Sequence, residues 1–228
     1  MGRLALGSLI ILLILGLISF LLLELRRGLF FKLEEVIIYG NHRAKESEII
    51  EMVGVRVGSS LLKIRLEEIE CRVKRNPWVK EAVARLIPPG RLTITVEERR
   101  PVAILKRDRF FYVDEAGEVF KELDGSDGVG YPILTGEASR ELILEALNLI
   151  KVSQEFSFPA PEDISEINLS DYGLTLFTTS QGIEVRLGRD GFRGKLARLN
   201  QVIRREGMGL KGARYIDLSL PHQVIVGR

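Results

Sequence analysis

Residues 79–98, VKEAVARLIPPGRLTITVEE, read as two strands and the turn between them. Leu92, Ile94 and Val96 alternate with Thr93, Thr95 and Glu97, the period of a half-buried strand. Val79 to Ile87 alternates less cleanly, and Pro88-Pro89-Gly90 supplies the turn. Upstream, Val36-Ile37-Ile38-Tyr39 is a short β-branched strand closed by Gly40-Asn41. Helical spacing then puts Ile49, Ile50 and Val53 on one face, with Gly54 and Gly58 as punctuation. Leu61-Leu62-Lys63-Ile64 leads to a second helix, where Leu66, Ile69 and Val73 repeat at i, i+3, i+7 until Asn76-Pro77 stops it. From about Leu33 to Glu98 the order is therefore β-α-α-β-β, a three-stranded sheet with one face buried under two helices.

The remaining chain predicts a second unit, also α+β. Short strands are expected at Val102 to Lys106, Phe110 to Val113 and Val119 to Lys121, with a hairpin loop at Asp114-Glu115-Ala116-Gly117-Glu118. Arg140 to Ser153 has helical spacing, with Ile143, Leu147 and Ile150 on one face. Strands follow at Ile164 to Leu169, Leu174 to Thr179 and Ile183 to Leu187. Asp190 is placed to cap a helix with Phe192, Leu196, Leu199 and Ile203 inward, ending at Gly207. Tyr215 to Leu218, Pro221, and Gln223 to Val226 close the chain. The expected architecture is a mainly antiparallel sheet with two covering helices.

Ahead of both units, Leu4 to Leu23 is twenty residues without a charge, LALGSLIILLILGLISFLLL. At about 1.5 Å of rise per residue such a helix is about 30 Å long, the thickness of the hydrocarbon layer. A cleaved signal peptide would have a shorter apolar run and an A-x-A-like site, neither of which is present here. A buried core helix rarely needs twenty uncharged residues. The stretch is therefore read as one transmembrane helix, which makes the protein membrane-integral. The divisions expected are residues 1–3 as a tail, 4–23 as anchor, 24–32 as juxtamembrane linker, 33–99 as the first domain and 100–228 as the second. Arg26, Arg27 and Lys32 after the anchor outnumber Arg3 before it, a local count that does not settle orientation for a large translocated domain. The short N-terminus leaves room for a start codon further upstream.

Thirty-three Lys and Arg stand against 31 Asp and Glu, a net charge of +2 with both signs mixed along the chain, which is no nucleic-acid pattern. Cys71 is the single cysteine, so no intramolecular disulfide forms; it reads as a small apolar residue of a packed helix. His42 and His222 have no partner at i±3 or i±4, and no P-loop or Gly-x-Ser-x-Gly occurs. Asp114-Glu115 reads as a turn, and Glu97-Glu98 beside Arg99-Arg100 as a solvated strand end and domain joint. Trp78 and Tyr39 read as structural aromatics. No catalytic, metal, cofactor or small-molecule site is expected, and the protein is not expected to be an enzyme.

The β-α-α-β-β order resembles a POTRA domain, a polypeptide-transport-associated module. Directly behind a single apolar stretch, it is similar to the bacterial FtsQ/DivIB cell-division family. The residues carrying the likeness are Val36-Ile37-Ile38-Tyr39-Gly40-Asn41, Leu61-Leu62-Lys63-Ile64, Asn76-Pro77-Trp78-Val79, Arg85-Leu86-Ile87-Pro88 and Val96-Glu97-Glu98-Arg99-Arg100-Pro101-Val102-Ala103. Tyr112-Val113-Asp114-Glu115-Ala116-Gly117 and Tyr215-Ile216-Asp217-Leu218 extend it in the same order.

The resemblance implies a non-catalytic, inner-membrane divisome scaffold with periplasmic domains, concentrated at the septum. It implies partners like the bitopic proteins FtsB and FtsL, captured by strand addition, and a role in recruiting and regulating septal peptidoglycan synthesis. Matching Tyr215-Ile216-Asp217-Leu218 places the contact run at Ser219 to Val226. The candidate partner-binding residues are Tyr215, Asp217, Ser219, Leu220, His222, Val224, Ile225 and Val226. A final strand often lies at a sheet edge, and Pro221 suits an edge or a bend. It further implies that the POTRA unit offers a second docking surface for other divisome proteins. The alternative is a POTRA-bearing component of polypeptide export or outer-membrane assembly, although no run of barrel strands follows Glu98. A cell-wall hydrolase would need a catalytic constellation that the sequence lacks.

Overall fold

The computed structural model describes residues 11–21, 32–124, 130–206, 212–220 and 222–228. Residues 11–21 form helix α1. The rest of the apolar stretch, the 24–31 part of the linker, Gly207 and Pro221 lie outside the described residues. Among those described, no helix is long and apolar enough to cross a membrane. The chain divides between Arg99 and Arg100 into two compact units.

In the first unit, β1 (Glu35–Tyr39), α2 (Glu46–Val53), a 3-10 turn (Leu61–Lys63), α3 (Leu66–Val73), β2 (Val79–Ile87) and β3 (Arg91–Glu98) follow in order. The last strand in sequence is central: the sheet runs β1-β3-β2, with β3 parallel to β1 and antiparallel to β2. Two helices lie between β1 and its parallel neighbour, because parallel strands need a crossover connection. Ile49 and Val53 of α2, Ile69 and Val73 of α3, and Leu92, Ile94 and Val96 of β3 are all buried. Each such side chain contributes on the order of 1.5–3 kcal/mol when removed from water.

Four sequence expectations change here. Ile50 is 44% exposed, because it lies about 100° round the helix from Ile49, at the margin of the buried face. Cys71 is exposed: two positions beyond Ile69 it falls on the opposite side of α3 from the core. Tyr39 is 54% exposed at the end of β1 rather than packed. Trp78, by contrast, is buried as a structural aromatic, with the Arg43 guanidinium 4.8 Å from its ring centroid.

Glu98 is the fourth. Its carboxylate accepts from the backbone N–H groups of His42 (2.8 Å), Arg43 (2.9 and 3.0 Å) and Ala44 (2.8 Å). The end of β3 is thereby tied to the loop that leaves β1. Gly40 begins that loop at φ +82°, where a Cβ would lie 2.2 Å from the Val96 carbonyl oxygen. Only glycine permits both the conformation and the close approach.

The second unit contains β4 (Pro101–Lys106), β5 (Phe110–Asp114), β6 (Val119–Glu122), β7 (Ile133–Gly136), α4 (Arg140–Ser153), β8 (Ile164–Ser170), β9 (Gly173–Thr178), β10 (Glu184–Gly188), α5 (Phe192–Glu206), β11 (Tyr215–Asp217) and β12 (Ile225–Gly227). They make one nine-stranded sheet in the order β12-β11-β10-β9-β8-β7-β4-β5-β6. Five neighbouring pairs are antiparallel, and β4·β7, β7·β8 and β10·β11 are parallel. Two of the parallel pairs are bridged by α4 and α5, so these helices serve as β-α-β crossovers as well as a cover.

Strand β7 was not legible, being four residues with only Ile133 and Leu134 apolar. Leu142, Ala146 and Leu149 of α4 and Phe192, Leu196 and Leu199 of α5 share one core cluster with Ile167, Leu176, Val185 and Ile216 of the sheet. The first bond of α5 runs from the Lys195 N–H to the Gly191 carbonyl. Gly191, not Asp190, therefore stands at the N-cap, and the Asp190 side chain is exposed. Asp114 is a buried turn residue whose Oδ1 accepts from the Ala116 and Glu118 N–H groups, both at 3.0 Å.

Glu98→Ala removes an acceptor that serves three backbone donors. It is expected to destabilise the protein by about 2 kcal/mol, since charge-assisted bonds are worth more than neutral ones. Glu98→Gln should recover part of that loss in denaturant titrations.

Candidate partner-binding edge

The C-terminal edge is built on β10. The Glu184 N–H donates to the Arg214 carbonyl (3.1 Å) and the Leu218 N–H to the Arg186 carbonyl (2.8 Å), which seats β11 parallel to β10. β12 then folds back antiparallel, opposing Tyr215 to Gly227, Ile216 to Val226 and Asp217 to Ile225. Side chains alternate across a sheet. Val185, Ile216 and Val226 accordingly form one row, on the core side. Glu184, Tyr215 and Gly227, and beside them Arg186, Asp217 and Ile225, face the other way.

That outer face is ordered by one aromatic ring. Tyr215 lies over Gly227: a Cβ built there would stand 2.0 Å from the Tyr215 Cε1. On the opposite side, the Arg186 guanidinium is 5.0 Å from the ring centroid and donates to Glu184 Oε1 at 2.7 Å. This hydrogen bond to Glu184, with the attraction of its charge, holds the Arg186 guanidinium above its ordinary pKa. Tyr215 thus sits between a cation and a glycine backbone.

Asp217 closes the turn after β11, its Oδ1 accepting from the Ser219 N–H (2.8 Å) and hydroxyl (2.6 Å). Ser219, Leu220 and His222 are exposed, and His222 is in the left-handed region at φ 69°. From α5, Arg198 Nη1 donates to the Leu220 (3.5 Å) and Gln223 (3.2 Å) carbonyls, holding this connection to the helix. Val224 and Val226 pack against the core, while Ile225 is 39% exposed between them. The eight candidate residues therefore divide by direction. Ser219, Leu220, His222 and Ile225 present side chains to solvent, Val224 and Val226 hold the strand down, and Tyr215 and Asp217 brace its neighbour. Arg186, Arg198 and Gly227 complete the arrangement; their roles depend on cross-strand register, which leaves no local signal in the sequence.

β12 is the edge, and among the described residues no strand pairs with its other side. The opposite edge, β6, differs in chemistry. It carries Lys121 and Glu122, which form ion pairs with Asp124 (3.1 Å) and Arg109 (2.7 Å). Charged side chains on an edge discourage further pairing, whereas the β12 strand itself, Ile-Val-Gly, has none. Among the described residues no group of three or more His, Cys, Asp or Glu side chains could hold a metal ion.

The two units match two family models. Residues 31–99 match the POTRA domain, FtsQ-type, and residues 103–219 match the C-terminal domain of cell division protein FtsQ/DivIB. The first unit is thus a POTRA domain of the kind found in division proteins. A protein of Geobacter sp. (strain M21) described as cell division protein FtsQ is 36% identical over 211 residues, covering 88% of this chain and 77% of the relative. Proteins of the same description from Syntrophotalea carbinolica and Geotalea daltonii are each 32% identical; each match covers 86% of this chain and 74% and 76% of those relatives. The chain belongs to the FtsQ/DivIB cell-division family and is a component of the bacterial division machinery. The family-model match ends at Ser219, so the residues from Leu220 to Val226 lie beyond it.

Gly227→Val should force the Tyr215 ring off the strand and cost about 1–2 kcal/mol of stability, the scale of a local packing conflict. Combined with Tyr215→Ala, the loss should be less than the sum of the two single losses, because the clash needs both partners. Thermal melts of the three variants measure this.

Proposed function

We propose that the chain is a non-catalytic, membrane-anchored divisome scaffold whose β12 edge captures FtsB- and FtsL-like bitopic proteins by strand addition. The observation that carries this reading is an uncharged edge strand, paired on one side only among the described residues and fastened to the core by Val224 and Val226. An added strand would gain main-chain hydrogen bonds along β12, while Ile225, Leu220 and Ser219 supply side-chain contacts. Tyr215 and Asp217 support that surface from β11. Capture here would help recruit and regulate septal peptidoglycan synthesis.

Residues 4–23 serve as the anchor in this reading, 24–32 as the linker, 33–99 as the POTRA domain and 100–228 as the partner-binding domain. Support for the anchor comes from α1, where Ile11, Leu12, Leu17 and Phe20 are all about 60% exposed or more. A helix apolar on every side needs lipid or protein around it. The domains then lie in the periplasm at the septum, and the POTRA unit offers a second docking surface for other division proteins.

A photocrosslinking residue at Ile225 in the native cell is expected to capture a small single-pass coiled-coil protein. The same residue at Tyr172, 94% exposed on the β8–β9 turn, is the control and should not. Failure at Ile225, or equal capture at Tyr172, would remove β12 as the working edge.

A further inference from the structure

The POTRA unit has an apolar and basic rim that strand addition does not use. The Leu33 N–H donates to the Ser59 carbonyl (2.8 Å), the Gly58 N–H to the Leu33 carbonyl (2.6 Å), and Lys32 bridges to Ser60. The Glu34 N–H donates to the Gly90 carbonyl at 2.7 Å. The α2–α3 connection and the Ile87–Gly90 turn are therefore gathered where the chain enters β1. Val57 is 68% exposed and Leu62 77%, more than any other large apolar side chain described in this unit. Ile87 adds a third, at 44%. Arg56 and Lys63 adjoin these side chains in sequence. Together with Lys32 they are exposed, and none of the three has an ion-pair partner among the described residues.

Large apolar side chains left in water beside unpaired cations are the two ingredients of an interfacial membrane contact. Position supplies the third argument. The apolar stretch ends at Leu23, so residues 24–32 run from it to this rim, with Lys32 already in the rim. Nine residues reach at most about 30 Å even when fully extended. A tether that short raises the effective concentration of bilayer surface at this end of the unit. The far end of β1, at Tyr39 and His42, has no such constraint.

We propose that this rim docks on the phospholipid headgroup layer, with Val57 and Leu62 set among the headgroups and Lys32, Arg56 and Lys63 against lipid phosphates. The occupant is the anionic lipid surface. The proposal rests on residues 4–23 acting as an anchor, and its consequence is a POTRA unit held at a fixed inclination to the membrane rather than swinging on its linker.

The test uses the full chain with Cys71→Ser, reconstituted in phosphatidylethanolamine–phosphatidylglycerol vesicles. A single bimane reporter is placed at Leu12→Cys, Leu62→Cys or His42→Cys, and spin-labelled lipid is the quencher. Expected is strong quenching at Leu12 by a deep label, loss of most emission at Leu62 by a headgroup label, and little change at His42. Adding Arg56→Glu and Lys63→Glu, both at exposed positions, should restore emission at Leu62 and leave Leu12 quenched. Equal quenching at Leu62 and His42, with Leu12 quenched, overturns the docking while the anchor stands. An unquenched Leu12 overturns the anchor and the docking together.

Discussion

The parallel pairing of β10 with β11 governs the second unit. Parallel neighbours cannot be joined by a tight turn, so the chain must leave the sheet, form α5 and return. That excursion brings Leu196 and Leu199 into one core cluster with Val185 and Ile216. It also brings the chain back at the end of the sheet, where the remaining residues can only turn and pair antiparallel as β12. An open edge is thus a topological result of the crossover. Arg198, on the same helix, then fixes the connection that leads into the edge.

Glu98 plays the equivalent part in the first unit. A carboxylate at the end of the central strand meets three successive N–H groups of a loop that has no helix or sheet partner for them. Backbone donors left without an acceptor are costly, and one side chain satisfies all three. The C-terminal ends of two neighbouring parallel strands, far apart in sequence, are thereby joined.

Much of this was readable in the chain. The alternation of Leu92, Ile94 and Val96, the i, i+3, i+7 spacing of Leu66, Ile69 and Val73, and the span of α4 all correspond to elements observed. These are strong periodic signals, because one face of each element is buried and the other is not. Where periodicity was short or absent, the reading failed. β7 has two apolar residues, Cys71 sits on the wrong side of its helix for packing, and Glu98 looks like any other charged strand end. Of the candidate edge, the run Tyr215-Ile216-Asp217-Leu218 was visible, but the inward or outward aim of Val224, Ile225 and Val226 was not.

Local pattern by itself determined most of the elements in their order and the division into two units, since each follows from residues within a turn or two of one another. Tertiary structure alone decided which strands are neighbours and which edge lies open. Register is a property of two segments and has no representation in either one. The Tyr215 ring over Gly227, the Arg186 guanidinium beside it and the rim of Val57 and Leu62 next to Lys32 are all of this kind. Their partners are separated by 12 to 30 residues in sequence. Only the pairing of distant backbone segments brings them together.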